Sequence, residues 1–416
     1  MGETIQSALI DQDLRPAYYD QFKCLMGDCQ LNCCKCSWRI TFDRKDYLTL
    51  RHMKGSPELN RRISHSLRRI RNGEIKQKFF GEFDMSCGKC PLLREDDLCL
   101  LQLEKGTQVQ PFVCRNFPRR EIATRFGFLE RSLTPACEGV LELLWDIPEG
   151  IRFISDPLSQ KERQKIFLAE ECYFSVSQNQ EIRSACIDIL QERRFTLPQR
   201  ILLLGLVLKE LCDGEKDIDR WRSKVQLLCT SSDTLERLLE FGNLEQSDIR
   251  MLVNNFHVLC SFDSTLENQV LQEEIEIGLG IPVVKGSKIS RASSTDISTP
   301  YQNAQVRFRE RFPKKEYFIE NLMVAVFFYL QLPNTESPAK LWKSYVNLCN
   351  IYSFFRFMSV MSCREGASGD KRELFRLLVH SSRRLLHDAH RQETLAEHLF
   401  ENESATLAHM AVLLSG

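Results

Sequence analysis

Four cysteines stand within eleven residues near the start of this chain, as Cys24-x4-Cys29-x3-Cys33-Cys34, and four more follow as Cys90-x8-Cys99-x14-Cys114-x22-Cys137. Ten of the 17 cysteines lie in the first 137 residues. Thiolate is a soft ligand, and four of them complete a zinc site or an iron–sulfur site. Spacing alone leaves the two open. Adjacent Cys33 and Cys34 point in different directions in most backbone conformations, so one of them ligates a given metal or the two serve different centres. Cys90-Pro91 and Cys114-Arg-Asn-Phe-Pro118 place thiols in turns, where backbone amides tune sulfur. A zinc knot that merely ties loops together is the bland alternative.

Other patterns carry less chemistry. Cys29-x3-Cys33-x2-Cys36 has the spacing of radical S-adenosylmethionine enzymes, but no alternation of strands and helices supplies the barrel such enzymes use. Glu276-Ile-Gly-Leu-Gly-Ile-Pro282 resembles the acidic-x-Gly-x-Gly loop of Rossmann methyltransferases. It follows a charged stretch rather than an apolar strand, so it reads as a helix C-cap and turn. His387, His390 and His398 fall in a charged helical region and read as exposed helix histidines. Cys172, Cys186, Cys212, Cys229, Cys260, Cys349 and Cys363 sit mostly among apolar residues and read as small buried hydrophobes.

These groups need elements to position them. Strand signals are few: Trp38–Phe42 and Ile122–Leu133, both beside cysteines. Pro57–Lys78 has apolar residues at helical spacing and arginines on its other face, which predicts a solvated amphipathic helix. Ile147–Pro157, with two prolines and a glycine, marks a boundary. Beyond it helices dominate. Ser159 and Glu162 have capping-box spacing, 198–212 is apolar nearly all round, and Ser337-Pro338 opens a helix reaching about Met361. Further helices are expected at 372–386 and 391–400. The expected class is mainly α, with a small cysteine-rich, loop-rich metal-binding unit at 1–147. A helical domain at 148–284, a linker at 285–305 and a helical part at 306–416 complete the expected organisation.

Composition is that of a globular chain: 43% hydrophobic, 27% charged, with 56 basic and 56 acidic residues among 416. A net charge of zero gives no reason to expect nucleic acid or an anionic membrane. No secretory leader is read at MGETIQSALIDQDLRP, and the longest apolar run, Leu322–Leu330, is too short to span a bilayer. The expectation is a cytoplasmic protein, where clustered thiols stay reduced.

The cysteine region resembles the flagellin lysine N-methylase family. Four blocks carry the resemblance: Pro16-Ala-Tyr18 with Phe22-Lys-Cys24-Leu-Met-Gly-Asp-Cys29, Cys33-Cys34 and Trp38–Asp43; Cys90-Pro-Leu-Leu93 with Leu98-Cys99; Gly106 with Cys114-Arg-Asn-Phe-Pro-Arg119; and Glu130-Arg-Ser-Leu-Thr-Pro-Ala-Cys137-Glu138. They span about residues 16–145. Cys36 and Cys87 are additional to the pattern, and Glu138 stands where the family usually has proline. The resemblance implies methyl transfer from S-adenosylmethionine to flagellin lysines. It also implies an iron–sulfur cluster, of the 4Fe-4S type with zinc as the alternative, on Cys24, Cys29, Cys33, Cys34, Cys90, Cys99, Cys114 and Cys137. Tyr18, Glu130 and Glu138 are the candidates for lysine contact. The rival readings are a non-catalytic metal-binding module that docks a partner protein, and a radical-type redox enzyme.

Overall fold

The computed structural model describes residues 12–36, 38–71, 79–123, 128–163, 173–231, 249, 252–255, 265–280, 296–387 and 396–415. His390, Cys172, Cys260, the stretch 281–295 and the start of the 391–400 helix lie outside them.

The described chain is mainly helical, as expected, with two small sheets. The first sheet is built from β1 (Gln12–Pro16), β5 (Arg119–Ala123), β6 (Phe128–Leu133) and β7 (Phe153–Pro157), in the order β5-β6-β1-β7. β1 runs parallel to β6 and antiparallel to β7. The second sheet joins β2 (Thr41–Phe42), β4 (Gly81–Phe83) and β3 (Leu67–Arg69). It corrects one expectation: the helix opened by Ser56 and Pro57 stops at Ser66, because Leu67–Arg69 pairs with Gly81–Phe83 instead of continuing it.

The helices of the cysteine-rich part are short: α1 (Arg44–His52), α2 (Pro57–Ser66), α3 (Leu100–Lys105) and α4 (Phe112–Asn116). With the second sheet they enclose a small core of Ile40, Phe42, Leu50, Leu59, Phe83, Leu92 and Leu100. Burying such side chains yields about 1.5–3 kcal/mol each, so this core contributes to holding its loops in place.

The larger core starts at α5 (Glu138–Trp145) and, past the short surface helix α6 (Gln160–Arg163), continues through α7 (Val176–Leu190), α8 (Leu197–Cys212) and α9 (Ile218–Thr230). It is completed by α10 (Leu266–Leu279), α11 (Ser298–Arg311), α12 (Glu316–Tyr329), α13 (Pro338–Met361), α14 (Lys371–Leu386) and α15 (Leu407–Ser415). Caps fix their starts. Gln199 accepts the Thr196 amide at 2.8 Å, and the Ser337 hydroxyl accepts the Lys340 amide at 3.3 Å. α10 stops at Gly280, whose φ of 66° is the left-handed cap expected there. Ser298 onward, within the expected linker, already belongs to α11, with Tyr301 and Ala304 buried.

α8 lies against α7, α9, α13 and α15, while α14 packs on α5, α10 and α13. Tyr18, Phe22 and Leu133, from the cysteine-rich half, share this core with Ile151, Phe174 and Leu190. The apolar run Leu322–Leu330 lies on α12 and its end, mostly buried, and no helix among the described residues is long and apolar enough to cross a membrane.

Inside this core Glu320 is 1% exposed and binds Arg193 at 2.8 Å and Arg200 at 2.7 Å. The neighbouring Asn321 donates to the Leu144 and Ile147 carbonyls at 3.0 and 2.7 Å, tying α12 to the end of α5.

Two outcomes test this packing. Gly205 lies on α8, where an added Cβ would collide with the Tyr345 ring and hydroxyl on α13. Gly205→Ala is expected to destabilise the protein by about 1–3 kcal/mol in a urea melt. His380, buried on α14, has its pKa pushed down to about 3, first by burial and then by Arg383 and Arg376. The unfolded chain therefore binds the proton more readily. Stability is full above about pH 6.5 and falls toward pH 3 by about 1.4 kcal/mol per pH unit from this group. His380→Gln is expected to flatten that part of the stability-against-pH curve.

Candidate functional site

The eight shared cysteines come from separate loops that the two cores bring together. Cys29 caps a 3-10 turn at Met26–Asp28. Its thiol donates to Glu138 Oε2 at 3.3 Å, and the same oxygen accepts the Gln30 and Leu31 amides at 2.9 and 3.0 Å. Burial, then the Glu138 charge, pushes the Cys29 pKa up. The Asn32 side chain accepts the Cys34 amide at 2.8 Å, and the Cys90 amide donates to the Cys34 carbonyl at 2.7 Å. Cys34 then shares sulfur hydrogen bonds with both Cys33 and Cys90, which raise its own pKa and lower theirs.

The bridge between Leu93 and Cys99 folds the next loop back, and Gln110 Nε2 donates to Cys99 Sγ at 3.7 Å. Cys114 is held high by burial and then by Cys90, Cys33 and Cys99. Cys137, the N-cap of α5, is pushed up to about 12 by burial, with Cys33 and Cys24 adding to the rise. Cys33 is thus the hub. It acts electrostatically on Cys29, Cys34, Cys90, Cys114 and Cys137. All eight thiols are free, as are Cys36 and Cys87.

The donor chemistry of this connected set fits a thiophilic metal. Its arrangement does not yet: among the described residues no three His, Cys, Asp or Glu side chains stand where they could hold an ion. Cys36 plays another part. It is 1% exposed, its thiol donates to the Cys33 carbonyl at 2.9 Å, and burial pushes its pKa up to about 12. Cys87 is exposed in a turn.

Each of the three lysine-contact candidates is taken up by burial or by partners within the fold. Tyr18 is buried in the large core, which raises its pKa. Glu130 is buried in an ion pair with Arg183 and accepts Gln331 Nε2 at 3.3 Å. Glu138 is the clasp on the Gln30–Leu31 backbone.

Two residues of the helical body reach the cysteine loops, and sequence reasoning had passed over both roles. Arg383 on α14 is 3% exposed and donates to the Leu31 carbonyl at 2.6 Å and the Ala136 carbonyl at 3.3 Å. Its guanidinium lies 5.3 Å from the Trp38 ring centre and helps lower the Cys33 pKa. His387, at the C-cap of α14, is exposed as expected, yet its ring lies 4.7 Å from that of Trp38 and its Nε2 3.1 Å from Thr134 Oγ1. The signal for Arg383 was its place four residues after buried Val379, on the apolar stripe of α14.

Glu138→Ala removes the acceptor of two backbone amides and a thiol. It is expected to cost about 1–3 kcal/mol and to speed alkylation of Cys29 in the native protein, read by mass spectrometry of peptides.

The chain matches the family described as FliB lysine N-methylase C-terminal domain over residues 183–413. It is similar to the lysine-N-methylase of Salmonella typhimurium, 28% identical over 153 residues that make up 35% of each chain. A lysine-N-methylase of Salmonella choleraesuis is 27% identical over 150 residues, again 35% of each. The flagellar biosynthetic protein FliU of Salmonella muenchen is 28% identical over 143 residues, 33% of this chain and 78% of that one. The matched stretch spans about a third of the length of the two lysine methylases. No solved structure matches. Because the family match runs from α7 to α15 and takes in more than half of its residues, the chain belongs to the FliB lysine N-methylase C-terminal domain family.

Proposed function

We propose that this protein is a protein-lysine N-methyltransferase that acts on flagellin with S-adenosylmethionine as methyl donor. The observation that carries the reading is the family match over 183–413, supported by relatives named as lysine methylases and as a flagellar biosynthetic protein. The donor supplies an electrophilic methyl group on a sulfonium. The protein must then present a neutral lysine nitrogen, hold it in line with that methyl, and keep water out. Desolvation favours the neutral amine, and the seam where α14 meets the cysteine loops offers partly enclosed, aromatic surroundings.

The same reading assigns the thiols of Cys24, Cys29, Cys33, Cys34, Cys90, Cys99, Cys114 and Cys137 as the set from which an iron–sulfur cluster draws its ligands. Their mutual electrostatic reach around Cys33 supports this. Methyl substitution does not require such a centre, so its part here is to tie loops together.

Co-expression with flagellin is expected to add mass in steps of one methylene per methyl on flagellin lysines. No added mass across several flagellins would sink the methyltransferase reading. Protein purified without oxygen is expected to carry iron and sulfide. Cys29→Ser and Cys114→Ser should lose them and Cys36→Ser should keep them, and loss in the Cys36 variant would overturn the ligand set.

A further inference from the structure

Four aromatic rings from four separate segments meet where the helical body touches the cysteine loops. Trp38 lies 5.2 Å from Phe117 and 4.7 Å from His387, while Phe117 and Tyr329 each lie 6.4 Å from His387. Two guanidiniums flank them: Arg383 at 5.3 Å from the Trp38 ring, and Arg120 at 4.4 Å from the Tyr329 ring. Both are anchored to backbone carbonyls, Arg383 to Leu31 and Ala136 and Arg120 to Tyr329. Among the described residues neither pairs with a carboxylate.

We propose that this seam is the acceptor subsite for the target lysine, with His387 holding the amine and Arg120 and Arg383 selecting its neutral form. The inference rests on the methyltransferase reading and names the place where its protein substrate enters. His387 keeps solvent access at the end of α14 while its ring lies against that of Trp38, so an incoming side chain can reach it from solvent. Nε2 faces Thr134 Oγ1, and among the described residues Nδ1 makes no hydrogen bond. With its proton on Nε2 and donated to Thr134, the ring offers Nδ1 to accept one N–H of an incoming amine.

The surroundings also set the charge of that amine. Among the described residues the groups that act on His387 are the enclosing protein, then Arg383, then Arg120, and together they push its pKa down to about 4. A lysine ammonium placed beside it meets the same desolvation and the same two positive charges. Its ordinary pKa of about 10.4 falls accordingly. The rings of Trp38, Phe117 and Tyr329 pack the lysine methylenes. The lone pair on nitrogen then forms the new N–C bond, the C–S bond of the sulfonium breaks with its pair passing to sulfur, and the product ammonium releases its proton to water.

Trp38 is the reporter. The holoenzyme is titrated with a peptide bearing a single lysine, and with the same peptide carrying acetyl-lysine, while tryptophan fluorescence is followed in wild type and Trp38→Phe. The lysine peptide is expected to change the Trp38 component and the acetylated one to leave it unchanged. His387→Ala should weaken the lysine response about tenfold, and His387→Gln, which keeps an acceptor, should recover part of it. In the methylation assay Arg120→Gln should move the acid limb of the pH–rate profile up by about one unit. Equal responses to the two peptides would overturn the subsite, whether or not flagellin is methylated. So would unchanged rates and pH profiles in the His387 and Arg120 variants of an enzyme that does methylate. A clear lysine response without methylation would leave the subsite standing and count against the reading it rests on.

Discussion

The arrangement hangs on a single guanidinium. Arg383 is buried at the end of α14, holds the Leu31 and Ala136 carbonyls, and covers Trp38. Those carbonyls lie two residues before Cys33 and one before Cys137, in the first and last of the cysteine loops. A buried charge without a carboxylate partner is expensive, and here two carbonyls, an aromatic face and the nearby sulfur atoms offset the cost. The helix that supplies it belongs to the matched family domain, while the two carbonyls and the ring it holds lie upstream.

Elements with local signals were legible. The Ser337 cap, the apolar faces of α8 and α12, and the helix stop at Gly280 could each be read within a few residues of sequence. The four-stranded sheet could not. β1 is a five-residue strand whose parallel partner, β6, lies more than a hundred residues away, and β7 sits in a stretch whose prolines and glycine read as a boundary. Pairing across such distances leaves little trace in either strand alone. Leu67–Arg69 failed for the same reason: its helical spacing was real, but Gly81–Phe83 claimed it.

The candidate site divides in the same way. Cysteine spacing pointed to the loops that converge around Cys33. It said nothing of Arg383 and His387, because their partners Trp38, Thr134 and Ala136 are some 250 to 350 residues away along the chain. Zero net charge likewise hid where the charges went. Many arginines are committed to internal work: Arg183 on Glu130, Arg193 and Arg200 on Glu320, Arg364 and Arg376 on Glu274.

The two cores have a kinetic consequence. The chain leaves the large core after Phe22, builds the small one around Phe42, Leu59 and Leu92, and returns at Leu133. The cysteine loops therefore form a lobe with its own small core, fastened to the helical body at Leu31 and Cys137 as well as at its ends. Such a lobe can open and reclose as a unit while the helical body stays shut. Opening of that kind exposes the thiols to solvent while α14 keeps its place in the helical core.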